Sequence, residues 1–360
     1  MKQSIQQVDQ SFLDQFNSIQ KSGVLDDLAT LRTENRILDT LVNDAAKLYA
    51  LTSVADIMTF VTDRILQQFI PMYFIVAFEP PRSKDLQQYC YANLKPSNEN
   101  ISYEAFNAIK RCLVDSPYPT RIDELLLGTA VKIELSHFDP WLIVPLCGLE
   151  GIYGLCIIGK KVIGDAYSSA ELMYIDKFTR FISIAIQNNL NYECAITDSK
   201  TGLYNHGYFM QRLEQEIAHV SRYDAKAGLI MLDIDHFKKF NDMWGHLAGD
   251  EVLNVLSATL KRTLRIEDVA SRFGGEEFCV LAIECDARKL QDMSERIRLS
   301  IEAMTVSYKG TELKVTASLG CCCFDPELHV GPNAYIEMAD NALYLSKSMG
   351  RNRSTIYRRT

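Results

Sequence analysis

Two stretches of this chain repeat apolar residues on a strict heptad, and they fix its layout before any other feature does. Leu28, Leu31, Asn35, Leu38, Val42, Ala45 and Tyr49 recur at spacings of 3, 4, 3, 4, 3 and 4. Ile175, Phe178, Ile182, Ala185, Asn189, Tyr192 and Ile196 repeat the same spacing. Such spacing keeps one stripe on one side of a helix. Each stripe has one Asn at an a position, where a lone Asn often selects a two-stranded coiled coil. Two readings stand: a seam between two copies of the chain, or an amphipathic helix packed on its own domain. The first stripe leaves both open. The second reads as a dimer seam, because a helix leaving one domain and entering the next is a natural rigid connector.

The chain's 360 residues, these helices included, suggest two domains. With 47% hydrophobic and 23% charged residues, the chain is neither largely disordered nor collagen-like. Its net charge of −8 gives no general electrostatic reason to bind nucleic acid or a membrane surface, so any polyanion site is local. The ten cysteines form no C-x-x-C pair, and three of them, Cys321, Cys322 and Cys323, are adjacent in an apolar run. Small buried hydrophobes explain that run, which fits reduced, cytoplasmic usage. MKQSIQQVDQ has no apolar signal region. The most apolar window, Trp141 to Gly159, is broken by glycines and prolines and reads as two strands and a turn.

Residues 1–25 are poorly patterned, and residues 26–49 read as the first helix. Residues 50–165 alternate between helical and strand-like runs. A helix ends near Phe69, before Pro71. Strands fit Met72 to Glu79, Gln87 to Leu94, Ala130 to Glu134, Leu142 to Cys147 and Tyr153 to Ile158, with a helix over Ser102 to Leu113. Residues 166–197 read as the connecting helix and 198–360 as a second domain.

That second domain concentrates the chemistry. In Leu229-Ile230-Met231-Leu232-Asp233-Ile234-Asp235 an apolar strand ends in two carboxylates. The expectation is that they divide between opposite faces, one toward a site and one toward its support. Carboxylates at a strand end suit Mg²⁺, which pairs a few of them with substrate phosphates; a solvated strand end is the bland alternative. Lys238 follows, close enough to neutralise phosphate. Asn241 and Asp250 together offer the acceptors and donors that the edge of guanine requires, whereas turn or cap duty is the alternative. Arg272-Phe273-Gly274-Gly275-Glu276-Glu277 puts two carboxylates after a Gly-Gly hairpin turn, where one can complete a metal site beside Asp233. Lys347 and Arg351 stand four apart and are expected on one helix face, able to clamp a triphosphate.

Taken together, "DSKTGLYNH", "LDIDHFKKFNDMWGHLAGDEVL", "RFGGEEF", "VTASLG" and "ADNALYLSKSMGRN" resemble the GGDEF family of diguanylate cyclases over about residues 195 to 358. The run Val144-Pro145-Leu146 … Gly151-Ile152-Tyr153-Gly154-Leu155-Cys156-Ile157-Ile158 resembles the late strands of a GAF sensor domain. These resemblances imply a mixed α/β (α+β) chain: a GAF-type antiparallel sheet with helices, joined by a coiled-coil helix to a palm-like sheet flanked by helices. They imply a homodimeric, cytoplasmic enzyme that condenses two GTP into cyclic di-GMP, without nucleic-acid or membrane partners. The GAF domain would take an unknown small molecule, for which a cyclic nucleotide is plausible. The alternative is a non-catalytic receptor for GTP or cyclic di-GMP, acting as a scaffold.

By resemblance, Asp233 and Glu276 hold Mg²⁺ or Mn²⁺ with the Ile234 carbonyl, and Glu277 supports the signature loop. Asn241 and Asp250 recognise guanine. Lys238, Lys347, Arg351 and the backbone at Phe237 bind phosphates. Arg265 and Asp268 match the spacing of a product-inhibition site; a local ion pair is the alternative. The resemblance has two departures, Lys200 and His206, where the family usually has Leu and Arg.

Overall fold

The computed structural model describes residues 23–82, 85–114, 118–164, 166–223 and 225–358. Residues 1–22, most of the poorly patterned N-terminal stretch, lie outside them. The chain divides into two compact units between Asn191 and Tyr192.

In the first unit, helices α1 (Val24–Ala50) and α2 (Val54–Phe69) precede strands β1 (Tyr73–Phe78), β2 (Gln87–Ala92) and β3 (Lys95–Ser97). Helix α3 (Tyr103–Leu113), the short strand β4 (Thr120–Arg121) and helix α4 (Thr129–Ser136) follow. The hairpin β5 (Pro140–Gly148) and β6 (Gly151–Gly159) leads into helix α5 (Ser169–Ile196). Ser53 caps α2 by accepting from Asp56 N, and α2 ends where Ile70 turns left-handed just before Pro71. The six strands lie in the order β3-β2-β1-β6-β5-β4, every neighbouring pair antiparallel.

Period-two alternation sorts the side chains of this sheet between two cores. Phe74, Val76, Phe78, Val144 and Ile158 pack with α1, α2 and α5. Ile75, Ala77, Ile143, Leu155 and Ile157 pack with α3 and α4. Ala130 to Glu134, expected as a strand, is part of α4. Its Val131 and Leu135 are buried four residues apart on one helical face, a short apolar signal that period alone does not distinguish from a strand.

The two heptad stripes part company. On α1, the stripe residues Leu28, Leu31, Leu38, Val42 and Tyr49 are exposed, while the opposite side buries Leu41, Asp44 and Leu48. Asp44 is fully buried and answered by Arg64 and by Tyr174 Oη, which donates at 2.8 Å. On α5, by contrast, Ile175, Phe178, Ile182 and Ala185 are buried in the core of their own unit. Asn189 donates to the carbonyls of Ala185 and Leu51. This corrects the reading of the second stripe as a seam: a straight helix lying along a sheet buries the same i, i+3, i+4, i+7 positions as a coiled coil.

In the second unit, helix α6 (His206–Tyr223) precedes strand β7 (Gly228–Ile234), then helices α7 (Phe237–Trp244) and α8 (His246–Thr263). The hairpin β8 (Val269–Arg272) and β9 (Glu277–Ala282), helix α9 (Ala287–Ala303) and the small hairpin β10 (Val306–Tyr308) and β11 (Thr311–Leu313) come next. Strand β12 (Ala317–Cys323), helix α10 (Pro332–Ser348) and strand β13 (Ser354–Ile356) complete the unit. The sheet order is β13-β12-β7-β9-β8. Central β7 is buried along its whole length. Its Ile230, Leu232 and Ile234 face α8 and α9, and its Leu229 and Met231 face α6 and α10. Cys321 and Cys322 are buried in β12, as their apolar setting required. Helix α10 lies so close on β12 that a Cβ at Gly320 would collide with the backbone of Ala339 and Leu343.

Candidate active site

The site forms where β7 and β9 end together. Asp233 pairs with Glu277 in the antiparallel register, and Ile234 N donates to Glu276 O at 3.4 Å. Two acidic residues 43 positions apart in the chain, Asp233 and Glu276, thus meet through the ladder of one strand pair. Burial raises the Asp233 carboxyl above its ordinary value, against the pull of Lys347. Burial also raises Glu276, and the charge of Asp233 raises it further. The two carboxylates therefore feel each other.

Asp233 and Asp235 do not divide between opposite faces. Side chains two apart on a strand return to the same side, and both lie on the α10 side. They differ in their partners instead. Lys347 Nζ lies 3.0 Å from Asp233 Oδ2. Asp235 accepts from Ser318 Oγ at 2.6 Å, from Thr316 Oγ1 at 2.7 Å and from Asn352 N at 3.0 Å. One carboxylate faces the site and the other ties β7 to β12 and to the turn after α10.

Lys347 and Arg351 do not share a helical face. Helix α10 ends at Ser348, and Arg351 sits beyond Gly350 with a left-handed backbone (φ 66°). The glycine at φ 115° and the left-handed residues after it stop the helix before a further turn can form. Arg351 nonetheless acts electrostatically on Asp233, lowering its carboxyl.

Beyond Asp235 the chain turns through His236 (φ 59°) into α7. The His236 side chain makes no capping bond, which leaves the first amides of α7 to an incoming group. Phe237 anchors this turn in the core, and Lys238 is exposed, with no ion pair among the described residues. Asn241 lies on α7, and its Oδ1 is buried with no hydrogen-bond partner among the described residues. Gly249 packs directly on that oxygen; a Cβ there would collide with it. Asp250 is the next residue, one turn into α8. Lys200 Nζ donates to Asp250 Oδ1 at 2.6 Å.

Two residues that the sequence did not single out hold the signature loop. Arg272 donates from Nε to Gly274 O (3.1 Å) and from Nη2 to Gly275 O (2.7 Å). Its Nη1 reaches Asp198 Oδ1 at 3.3 Å. Burial raises the Asp198 carboxyl, but bonds from Thr201 and Arg272 outweigh it and hold the group below its usual range. The signal available was an Arg two residues before Gly274, since carbonyls in so tight a turn need an outside donor.

Arg265 and Asp268 sit apart from these carboxylates, in the loop between α8 and β8 and at its end. Asp268 is almost fully buried, accepting from Arg265 N and Ile283 N. The Arg265 guanidinium stays 3.9 Å from Glu267 rather than pairing with Asp268. It lines a cavity of about 220 Å³ with Lys289, Asp292 and Arg296.

The side chains there are of a kind that suits a hard divalent cation: the carboxylates of Asp233 and Glu276, close enough for the charge of one to act on the other. Mg²⁺ commonly takes one or two protein carboxylates and completes its shell from substrate and water. Among the described residues no cluster of three or more His, Cys, Asp or Glu offers a metal a cage of its own. No helix among them is long and apolar enough to cross a membrane.

Residues 195–353 match the family described as "Diguanylate cyclase, GGDEF domain". The match lies within the second unit. Diguanylate cyclase A of Treponema denticola is 32% identical over 242 residues, which are 66% of this chain and 65% of that protein. Diguanylate cyclase DgcP of Pseudomonas aeruginosa is 43% identical over 159 residues, 44% of this chain and 23% of that protein. The chain thus spans less than two thirds of the length of these relatives. A crystal structure of the GGDEF domain of DgcB from Caulobacter crescentus in complex with c-di-GMP is 34% identical, covering 46% of this chain and 94% of that one, with a TM-score of 0.44.

Proposed function

We propose that the chain is a diguanylate cyclase that condenses two GTP into one cyclic di-GMP and two pyrophosphates. The observation that carries this reading is the meeting of Asp233 and Glu276 at the paired ends of β7 and β9, with the Lys347 ammonium against them. The names of its GGDEF relatives support it.

In this reading Asn241 and Asp250 hold the guanine edge, and the first amides of α7 at Phe237, with Lys238, Lys347 and Arg351, hold the triphosphate. Asp233 and Glu276, with the Ile234 carbonyl, would carry a divalent ion, Mg²⁺ or Mn²⁺. When bound, that ion supplies charge neutralisation on the phosphates. The chain's own cations do the same from fixed positions, which lowers the barrier because they need no reorganisation as charge develops. The 3′-oxygen of one GTP bonds to the α-phosphorus of the other while the bond to the pyrophosphate oxygen breaks. The hydroxyl proton has two acceptors within the site, the Glu276 and Asp233 carboxylates. Glu277 supports the loop from the first position of β9.

One unit holds one GTP, so two copies must face each other for the reaction, and the protein acts as a homodimer. The exposed stripe Leu28, Leu31, Leu38, Val42 and Tyr49 on α1 is the surface that favours self-association. The first unit is a GAF-type sensor for a small molecule, a cyclic nucleotide being one such ligand. Its antiparallel sheet between helical layers supports this. Arg265 and Asp268 make a product-inhibition site, and the charge and cavity around Arg265 favour an anionic ligand there.

Incubation with GTP and Mg²⁺, with mass spectrometry of the products, tests the central claim. Cyclic di-GMP and pyrophosphate are expected from the unaltered chain and a loss of at least 100-fold from Asp233→Asn or Glu276→Gln. Nucleotide binding without turnover would instead make the chain a receptor.

A further inference from the structure

We infer that Lys200 is a third base-reading residue, which donates to the 6-oxo group of a bound guanine and so tells 6-oxopurines from 6-aminopurines. This inference rests on the guanine-nucleotide reading of the site.

The argument starts from Asp250. Its Oδ1 already accepts from Lys200 Nζ at 2.6 Å, which leaves Oδ2 for another donor. Beside it, Asn241 Oδ1 is buried and unpartnered among the described residues, held against Gly249. The site thus carries one acceptor held against Gly249 and another on the residue that follows it, and the edge of guanine presents two donors, N1–H and the N2 amine. The third group on that edge, O6, accepts, and it stands immediately beside N1. A carboxylate that takes N1–H on one oxygen places the cation on its other oxygen alongside O6. The Lys200 ammonium has three donors and uses one on Asp250, so two remain.

Adenine inverts this edge. Its N1 accepts and its N6 amine donates. Against it, Asp250 would face a lone pair and Lys200 would face N–H groups, so both contacts would be lost at once. The lysine is half exposed and sits in the turn that Asp198 organises, through bonds from Thr201 N and from Lys200 N itself. Its backbone is therefore fixed while its stem can adjust to a base.

The test is equilibrium binding of two triphosphates that carry a methylene group between the α and β phosphorus, so that pyrophosphate cannot leave. One carries guanine and the other 2-aminopurine, which keeps the 2-amine and lacks both O6 and the N1–H, so that the effect of a Lys200 substitution on each analogue, rather than the starting preference, isolates the contact to O6. The unaltered chain should prefer guanine by tenfold or more. Lys200→Met, which keeps the apolar stem, should reduce that preference at least fivefold by weakening the guanine analogue alone. Lys200→Arg should restore most of it. An unchanged ratio in Lys200→Met, or equal weakening of both analogues, would overturn the inference and leave the guanine reading standing. Absence of guanine-nucleotide binding in the unaltered chain would overturn both.

Discussion

Lys347 Nζ rests 3.0 Å from Oδ2 of Asp233, a carboxylate only 7% exposed. A buried carboxylate without a counter-charge is costly, so the ammonium favours the ionised form against the burial that raises this carboxyl. The same oxygen belongs to the set that would bind a divalent ion, so ammonium and ion compete when no nucleotide is present. Lys347→Met should therefore tighten Mn²⁺ binding to the nucleotide-free protein at least threefold. It should weaken GTP about tenfold, the equivalent of ~1.4 kcal/mol. Titration calorimetry with Mn²⁺ and then with nucleotide reads both numbers. A fall in both would mean that Lys347 only supports the carboxylate.

Arg272 spends its guanidinium on the Gly274 and Gly275 carbonyls, next to Glu276, and on Asp198. Arg272→Ala should leave those carbonyls to water and lower kcat by tenfold or more, while nucleotide binding at Asn241 and Asp250 changes little. Arg272→Lys should rescue poorly, because a point charge cannot reach both carbonyls and Asp198 as a planar fork does. The partner carboxylate adds a pH signature. Asp198 is held below its usual value, so its contribution to stability is present above the unfolded value of ~3.9 and is lost as pH falls through the lowered folded one. Arg272→Ala raises that folded value toward the unfolded one. Melting temperatures across pH 3 to 6 should then fall less steeply with acid than those of the unaltered chain.

Asp235 is the other half of the strand-end pair. It collects three donors, from Ser318, Thr316 and Asn352 N, and ties together β7, β12 and the turn beyond α10. Asp235→Ala strands those donors in a buried place, where each unmade bond costs roughly 1–3 kcal/mol. A stability loss of about 3 kcal/mol is expected in denaturant unfolding. GTP affinity in the still-folded fraction should move less than twofold, which separates this residue from its neighbour at 233.

The architecture of the second unit was legible because its strands carry strong local signals. The apolar run into Asp233 reads as a strand and the Gly-Gly pair as a hairpin turn, and the structure has β7 and the β8–β9 hairpin there. The acidic pair was legible as a pair of motifs, and the strand register brings Asp233 and the Glu276-Glu277 turn together. What the sequence hid was tertiary. The helical spacing of α5 is the same whether its stripe meets a second chain or its own sheet, and only the burial of Ile182 decides. The spacing of Lys347 and Arg351 suggested a continuous helix, and the left-handed turn at Gly350 breaks it. The support given by Arg272 was missed because it depends on where Asp198, 74 residues away, comes to lie.

The two stripes give the last prediction, in which a single charge does opposite things. Val42 is 65% exposed on α1, whereas Ile182 is 1% exposed in the core of the same unit. Val42→Glu places a charge where water already reaches, so the melting temperature should stay within a degree or two. If the α1 stripe joins two copies, the same charge faces its own image across the seam and separates them. Sedimentation velocity should then show a monomer, with product formation reduced at least tenfold and GTP binding intact. Ile182→Asp instead buries an unpaired carboxylate among Phe178, Ile186 and their neighbours, at a cost of several kcal/mol. It should melt the first unit, seen as an early transition in calorimetry, whatever the oligomeric state. An Ile182→Asp protein that melts normally but sediments as a monomer would return the seam to α5.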